Sequence, residues 1–448
     1  MKKNKKIFIG TQEIAGYYHN LWIGIKSLGF DCDYVTYSDD IFGSGSNIRT
    51  SILLKSIAWL SRCRRGKNNR TFIFFRAVIT LLIEALCLIY FFIALFRYDV
   101  FIFGYGYTLL RWNLDLPVLR LFGKKVLVNM AHGSELRPPF IDGSYQTQDG
   151  LQPQSKILKR LALRHKRRIK FFEITVDLVI GAPFSSTQYS SQKLINIYAL
   201  GIPCYSNLDV ADSPQYRFGN NHPVMMKDDG TPVRILHSPS HSAVKGSVLI
   251  REAVERLKSS GYNIDFIEIK GRPNSEVIKE IQLCDFIVDQ IYSDTPMAGF
   301  ATEAACFGRP AVVGGYRFEY LKKFIPPNMW PPSKICHPDD LEDSIKELIV
   351  NVDLRRRLGA KAYEFVHTQW PAVKVAEKYM RLIHGDIPQE WWLEPQSVAY
   401  FHGCGQSEKK TKDNVRSMVA SYGVQSLQLS HRPELEKAFL EFADIEQK

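Results

Sequence analysis

The sequence predicts an α/β protein made of two successive parallel-sheet domains followed by a C-terminal extension. Three observations predict it. The chain has 448 residues, too many for one compact core and suited to two. Short apolar, β-favouring runs alternate with helical patterns along most of it. One polar, turn-rich stretch interrupts that alternation, which then restarts. Hydrophobic residues make up 45% and charged residues 23%, which excludes wholesale disorder.

The elements follow in order. Ile7 to Ile9 read as a strand, and Gly10 and Gly16 bracket a turn. Leu21, Ile25 and Leu28 then recur at helical spacing until Gly29, and Tyr34-Val35 open the next strand. Further strands are expected at Asp99 to Tyr105, Lys125 to Ser134 and Asp177 to Pro183. Residues 208–231 are rich in Asn, Asp, Pro and Gly and are predicted to link the domains. Beyond them, strands are expected near 233–238, 264–270, 285–291 and 309–315, with helices around Ile250 to Leu257, Val277 to Leu283 and from Gly299. Helices fill Asp339 to Leu382. Strands alternating with helices imply parallel sheets covered on both faces, hence two Rossmann-like domains at 1–207 and 232–386, and an extension at 387–448.

Charge and hydropathy divide the chain unevenly. The formal net charge is +12, and two acid-free stretches carry it: eight Lys/Arg between Ile41 and Ile83, and eight more from Lys156 to Lys170. Between them, Ala77 to Phe96 is apolar for 20 residues around a lone Glu84, long enough to cross a bilayer. A crossing there would divide the first sheet between two compartments. The segment is therefore expected to lie in a membrane interface, with a buried core helix as the alternative. Residues 49–97 form the predicted membrane-proximal segment. The basic run 156–170, with Ile157, Leu158, Leu161 and Ile169 between its charges, suits an amphipathic helix at the same surface. Nucleic acid is not expected as a partner, because aromatics are not interleaved with the bases for stacking. The eight cysteines are scattered without a CxxC pair, so neither a disulfide framework nor a metal site is expected. The opening residues lack a secretory h-region, which predicts a cytoplasmic site of action.

Two stretches carry chemistry. From Gly299 to Tyr316 (GFATEAACFGRPAVVGGY) a Gly-containing turn meets an acid on the first turn of a helix, followed by a Gly-Arg-Pro turn into a strand. A helix start at the carboxyl end of a parallel strand gathers anions, and a carboxylate there can accept two vicinal hydroxyls. From Ile235 to Leu257 a strand ends at His237, a Ser/Pro loop follows, and Lys245-Gly246 precede a helix. Lys245 would place a positive charge where the loop backbone can approach phosphate.

In order and spacing these stretches resemble the C-terminal domain of retaining family-four glycosyltransferases of the GT-B fold, clearly over Val233 to Tyr316. The resemblance implies two Rossmann-like domains facing a cleft. It implies that Lys245 contacts a donor diphosphate and Glu303 the donor ribose. Ser240, Gly246, Gly271, Asp294, Thr295, Gly299, Phe300, Ala301 and Thr302 would complete the donor site. The family has a second acid eight positions before Glu303. Here Thr295 stands there, with Asp294 and Asp289 nearby. In AHGSELRPP (Ala131 to Pro139), His132 resembles the strand-end histidine that lies against the donor sugar. Glu135 and Arg137 would face the acceptor, and Gly16 the diphosphate. The implied reaction is transfer of a sugar from a nucleotide-sugar donor to a lipid-linked or glycan acceptor at the cytoplasmic face of a membrane. It would retain anomeric configuration and need no metal or other cofactor. The rivals are a nucleotide-sugar epimerase and a catalytically inactive sugar-nucleotide-binding subunit of a membrane synthase.

Overall fold

The computed structural model describes residues 5–37, 52–65, 73–147, 153–204 and 230–446. The predicted linker lies outside them apart from Gly230 and Thr231, as do Arg49, Lys67 and Arg70.

The chain forms two Rossmann-like parallel sheets. The first holds β1 (Ile7–Thr11), β2 (Cys32–Thr36), β3 (Val100–Gly104), β4 (Lys125–Asn129), β5 (Leu178–Gly181) and β6 (Leu194–Asn196). The second holds β7 (Val233–His237), β8 (Ile264–Glu268), β9 (Phe286–Ser293), β10 (Ala311–Gly315) and β11 (Lys334–Cys336). A final short strand, β12 (Trp392–Leu393), returns to the first sheet and pairs antiparallel with β6. The orders are β12-β6-β5-β4-β3-β1-β2 and β11-β10-β9-β7-β8. β1 and β3 are buried at every position, as strands covered on both faces must be. In the first sheet the winding reverses between β1 and β3, and in the second between β7 and β9. Ligands of open α/β sheets bind outside the carboxyl ends of the strands at such reversals.

The apolar helix Ile73–Arg97 is divided along its length. Ile79, Ile83, Cys87, Tyr90, Phe91, Ala94 and Leu95 are buried, with Tyr90 6.5 Å from the Phe8 ring of β1. Phe74, Leu81, Leu82, Ile89, Phe92 and Phe96 on the opposite face are exposed. It is neither a fully buried core helix nor a helix free of the sheet. The basic helix Ser155–Thr175 corrects an expectation. Of its expected apolar stripe, Leu158 and Ile169 are buried with Ala162 and Phe172, Leu161 is half-buried, and Ile157 is exposed. The helix Glu408–Tyr422 and the turn Pro139–Ile141 pack on the same helix. Most of that stripe is covered by protein, with Ile157 left open at its start.

The end of the chain crosses back to the first domain. The crossing begins where Cys204 N–H donates to Trp370 O and Ala372 N–H to Cys204 O, at 2.8 and 2.9 Å. Helix Ala372–His384, expected to belong with the second domain, packs against Tyr17–Ser27 of the first. Gly24 permits this contact, because a Cβ there would run into Ala372 O. The loop after Tyr400 then wedges between the domains. Gly143 N–H donates to Cys404 O (2.8 Å) on one side, and Gly405 N–H to Tyr292 O (2.7 Å) on the other. Tyr400 stacks on Phe184 of the first domain at 3.8 Å, and His402 stacks on Tyr316 of the second at 5.3 Å. The extension thereby ties the two domains together.

Candidate functional site

The carboxyl ends of the two sheets face each other across a cavity of about 280 Å3. From the first domain it is lined by the loop after β1 (Ile14 to Tyr17) and the loop after β4 (Ala131 to Gly133, with Arg137). From the second it is lined by the loop after β9 and the start of the helix Gly299–Cys306. The approach is close: a Cβ on Gly299 would stand 3.4 Å from the Ala15 Cβ. Ala15 and Gly16 both take left-handed backbone (φ 48 and 77), which aims the first loop into the cleft.

Among the helix N-termini at this cavity, those of Tyr17–Ser27 and Gly299–Cys306 differ. At Tyr17–Ser27 the Glu13 carboxylate accepts the backbone N–H of Ile14 (2.7 Å), Tyr18 (3.3 Å) and His19 (2.9 Å), and the Tyr34 hydroxyl (2.6 Å). That end is filled. At Gly299–Cys306 the N-cap is Ala298, which has no side chain able to cap. No side chain caps it, and Ala298 and Gly299 line the cavity, so this end can take an anion.

Glu303 is the fifth residue of that helix, one turn deeper than the first-turn position expected from sequence. Its Oε1 accepts a hydrogen bond from Asn274 Nδ2 at 3.1 Å. Burial, with the nearby Asp289 charge, pushes its carboxyl up to about 7 even though Asn274 lowers it. Across the cleft, His132 lies three residues past the end of β4. Its Nε2 shares a 2.7 Å hydrogen bond with the Tyr18 hydroxyl, and its backbone N–H donates to Glu135 Oε1 at 2.7 Å. Burial lowers the imidazole to about 4, so it is neutral near pH 7. A neutral, oriented ring suits hydroxyl groups, not phosphate charge.

Arg137 bridges the domains. Its Nε and Nη2 donate to Asp294 Oδ2 at 3.0 and 2.5 Å, and Nη1 lies 3.2 Å from Asp142 Oδ2. All three side chains are less than one-tenth exposed. Glycine at 133 leaves room for the guanidinium, since a Cβ would stand 2.7 Å from Nη2. Thr295, where the resembled family has an acid, accepts a 2.9 Å hydrogen bond from the Tyr198 hydroxyl of the first domain.

The structure thus brings Gly16, His132, Arg137, Asp294, Thr295, Gly299, Thr302 and Glu303 into one cavity. Ser240, Lys245, Gly246, Gly271, Phe300, Ala301 and Glu135 do not line it. Lys245 is the main departure: its Nζ lies 2.6 Å from Asp289 Oδ1, which is fully buried and needs a counter-charge. Gly246 takes φ 72, and a Cβ there would collide with Ile291, so its glycine serves packing. Ala301 is core, Phe300 packs against the core, and Ser240 is exposed on its loop. Gly271 takes φ 67 with open space around it. Glu135, expected on the acceptor side, is buried behind His132 and is pushed up to about 7 by desolvation. Sequence reasoning missed Asn274, Tyr18 and Tyr198. Asn274 follows Pro273 at a helix start and was legible as such, but its target 29 residues on was not.

No family model matches the chain, and no curated protein matches it. Among solved structures, it is similar to a glycosyltransferase from Rickettsia africae (13% identity, TM-score 0.47, covering 86% of this chain and 99% of that one). It is also similar to Anabaena HepE in complex with UDP and glucose (12%, 0.43, 85% and 100%). A third is the glycosyltransferase SnogD from Streptomyces nogalater (13%, 0.36, 84% and 98%). At such identities the chemistry of the site has to be read from this chain's own residues.

Proposed function

We propose that the chain is a nucleotide-sugar-dependent glycosyltransferase of the GT-B type. One observation carries the reading. At the facing carboxyl ends of two parallel sheets, a single cavity receives an open helix N-terminus and Glu303 from one domain, and the His132 loop from the other. The helix end would hold the donor diphosphate by preorganised backbone dipoles. Glu303 would accept two ribose hydroxyls, and neutral His132, oriented by Tyr18, would bind hydroxyls of the sugar. Electrostatic stabilisation of the leaving diphosphate is the proposed source of rate. Retention, a hexosyl donor and independence from metal are proposed on the resemblance around Glu303. The acceptor is proposed to be lipid-linked or a membrane-proximal glycan in polysaccharide or glycoconjugate assembly, at the cytoplasmic membrane face. The apolar exposed face of Ile73–Arg97 supports that placement.

A specific observation favours a second reading, an inactive sugar-nucleotide-binding subunit: Lys245 is neutralised by Asp289. The test is a thermal-shift screen against UDP, GDP, ADP and their sugar conjugates, with Glu303→Ala alongside. A rise with one nucleotide family that the variant loses supports a donor site, since a ligand binding only the native state stabilises it. Absence of any rise at millimolar nucleotide would refute it. Donor binding without sugar release or transfer would select the inactive subunit.

A further inference from the structure

We propose that the segment Tyr107 to Phe122 is a second lipid-facing element, which with the helix Ile73–Arg97 seats the first domain on an anionic bilayer. This rests on the membrane-proximal reading above and assigns residues that the sequence did not single out. The segment exposes Trp112 (73%), Leu114 (58%), Leu121 (82%) and Phe122 (50%). Such outward placement is built in. Trp112 and Asn113 both take left-handed backbone, at φ 58 and 59, a conformation costly for non-glycine residues. A polar network beneath holds them. Asn113 Nδ2 donates to Gly106 O (3.2 Å), and the Thr108 hydroxyl lies 3.1 Å from Asn113 Oδ1 and 2.5 Å from Asp115 Oδ1. Asp115 also accepts Leu109 N–H at 2.9 Å. The result presents an indole to the outside with the Arg111 guanidinium over its ring at 4.6 Å. An amphipathic ring beside a cation is the chemistry of a membrane–water interface.

Two further observations name the occupant. The patch is continuous with the long helix, because Phe122 meets Phe96 edge to face at 6.1 Å between centroids. Its exposed charge is basic apart from Asp99 at its edge, which accepts the Lys6 backbone N–H. From Val100 to Ile141 the acids are Asp115 and Glu135, both buried, whereas Arg111 and Arg120 are exposed. A second copy of this face would bring like charges together. Anionic headgroups over an apolar layer complement it. Tyr107, half-exposed at this edge, stacks on Tyr105 at 5.9 Å, and Tyr105 on His132 at 6.4 Å. An acceptor carried by the bilayer would thus reach the cavity along an aromatic row.

The test is co-sedimentation of the full chain with phosphatidylglycerol-containing and pure phosphatidylcholine vesicles. The unaltered protein is compared with Trp112→Ala/Leu121→Ala/Phe122→Ala and with Arg111→Gln/Arg120→Gln. All five positions are exposed, so unchanged melting temperatures are expected. The apolar triple variant should lose about tenfold in affinity for the anionic vesicles. The arginine pair should lose most of the preference for anionic over neutral lipid. Brominated phosphatidylcholine in the anionic vesicles should quench the emission that Trp112→Phe removes. If the unaltered chain binds and the triple variant binds equally, with no quenching at Trp112, the second element is wrong and the long helix alone attaches. If the unaltered chain binds neither vesicle, both readings fall. Dimerisation abolished by the triple variant would give the patch to a second copy and overturn the proposal.

Discussion

The pH dependence of donor binding offers the sharpest test of the role given to Glu303. In the empty cavity its carboxyl is held up to about 7 by burial and by Asp289. A carboxylate that accepts two ribose hydroxyls is stabilised in its charged form, so the donor must bind the deprotonated protein. Protonation then competes with binding. For a group at about 7, the deprotonated fraction falls about 30-fold between pH 8 and pH 5.5, which is about 2 kcal/mol of affinity. The ligand should be a nucleoside diphosphate sugar, whose phosphates do not titrate in this range. Calorimetry in buffers of different ionisation enthalpy should show proton release on binding near pH 6.5 and almost none at pH 8.5. Glu303→Gln should flatten the pH profile and weaken binding at pH 8 by about 1.5–3 kcal/mol, the value of hydrogen bonds to a charged acceptor. An equally steep profile in the variant, or undiminished affinity at pH 8, would refute the reasoning.

Two further outcomes concern stability. Glu135 is also pushed up to about 7, against an ordinary value of 4.5, so the folded protein holds a proton that the unfolded chain releases between those pH values. Stability should therefore fall as pH rises through that window. Glu135→Gln, which can still accept His132 N–H, should be more stable than the parent to urea at pH 8 by up to about 3 kcal/mol, with the difference closing near pH 4.5. Arg137→Met should cost about 3–5 kcal/mol in urea unfolding, because it leaves Asp294 and Asp142 buried without a counter-charge. Combining it with Asp294→Asn should recover part of that loss. Simple additivity would mean that the two side chains are not energetically coupled and would refute the ion pair.

Much of the fold was legible because a parallel strand covered on both faces is an unbroken apolar run. IFIGT, VFIFG and AVVGG all stand as strands where the runs fall. The short edge strands Leu194–Asn196, Lys334–Cys336 and Trp392–Leu393 carry too few residues to show a period. The crossing of the chain after Trp370 was hidden for another reason. Helix Ala372–His384 has an apolar face that fits either domain, and contacts distant in sequence, at Gly24 and between the Tyr17 and Tyr379 hydroxyls, settle which one. In the site, Gly299 and Glu303 were legible because helix starts and backbone glycines have local signatures. The partners of charged groups have none. That Arg137 would be held by Asp294, and Lys245 by Asp289, depends on pairings 157 and 44 residues apart. The exposed face of Ile73–Arg97 was legible as an apolar run, whereas the covering of the basic helix by the tail was not.

The pairing of Lys245 with Asp289 decides whether the cavity is poised or blocked, and one substitution separates the cases. Asp289 is fully buried on β9, whereas the Lys245 side chain keeps 14% exposure. Removing the lysine strands a buried charge, while removing the acid leaves a cation that can swing on its long stem toward the sheet's carboxyl edge. Asp289 also acts on Glu303 by raising its carboxyl. Asp289→Asn should therefore do two things together: release Lys245 for the diphosphate and lower Glu303 toward the ordinary carboxylate range. Both strengthen donor binding, most visibly near pH 6, where the parent's Glu303 is mostly protonated. An affinity gain of about tenfold at pH 6, shrinking at pH 8, would mean that the pair is a resting state which the donor itself must break. A loss of affinity at both pH values would mean that the ion pair is part of the wall on which Glu303 and Asn274 are set, and that the diphosphate is held by the helix end without help from Lys245.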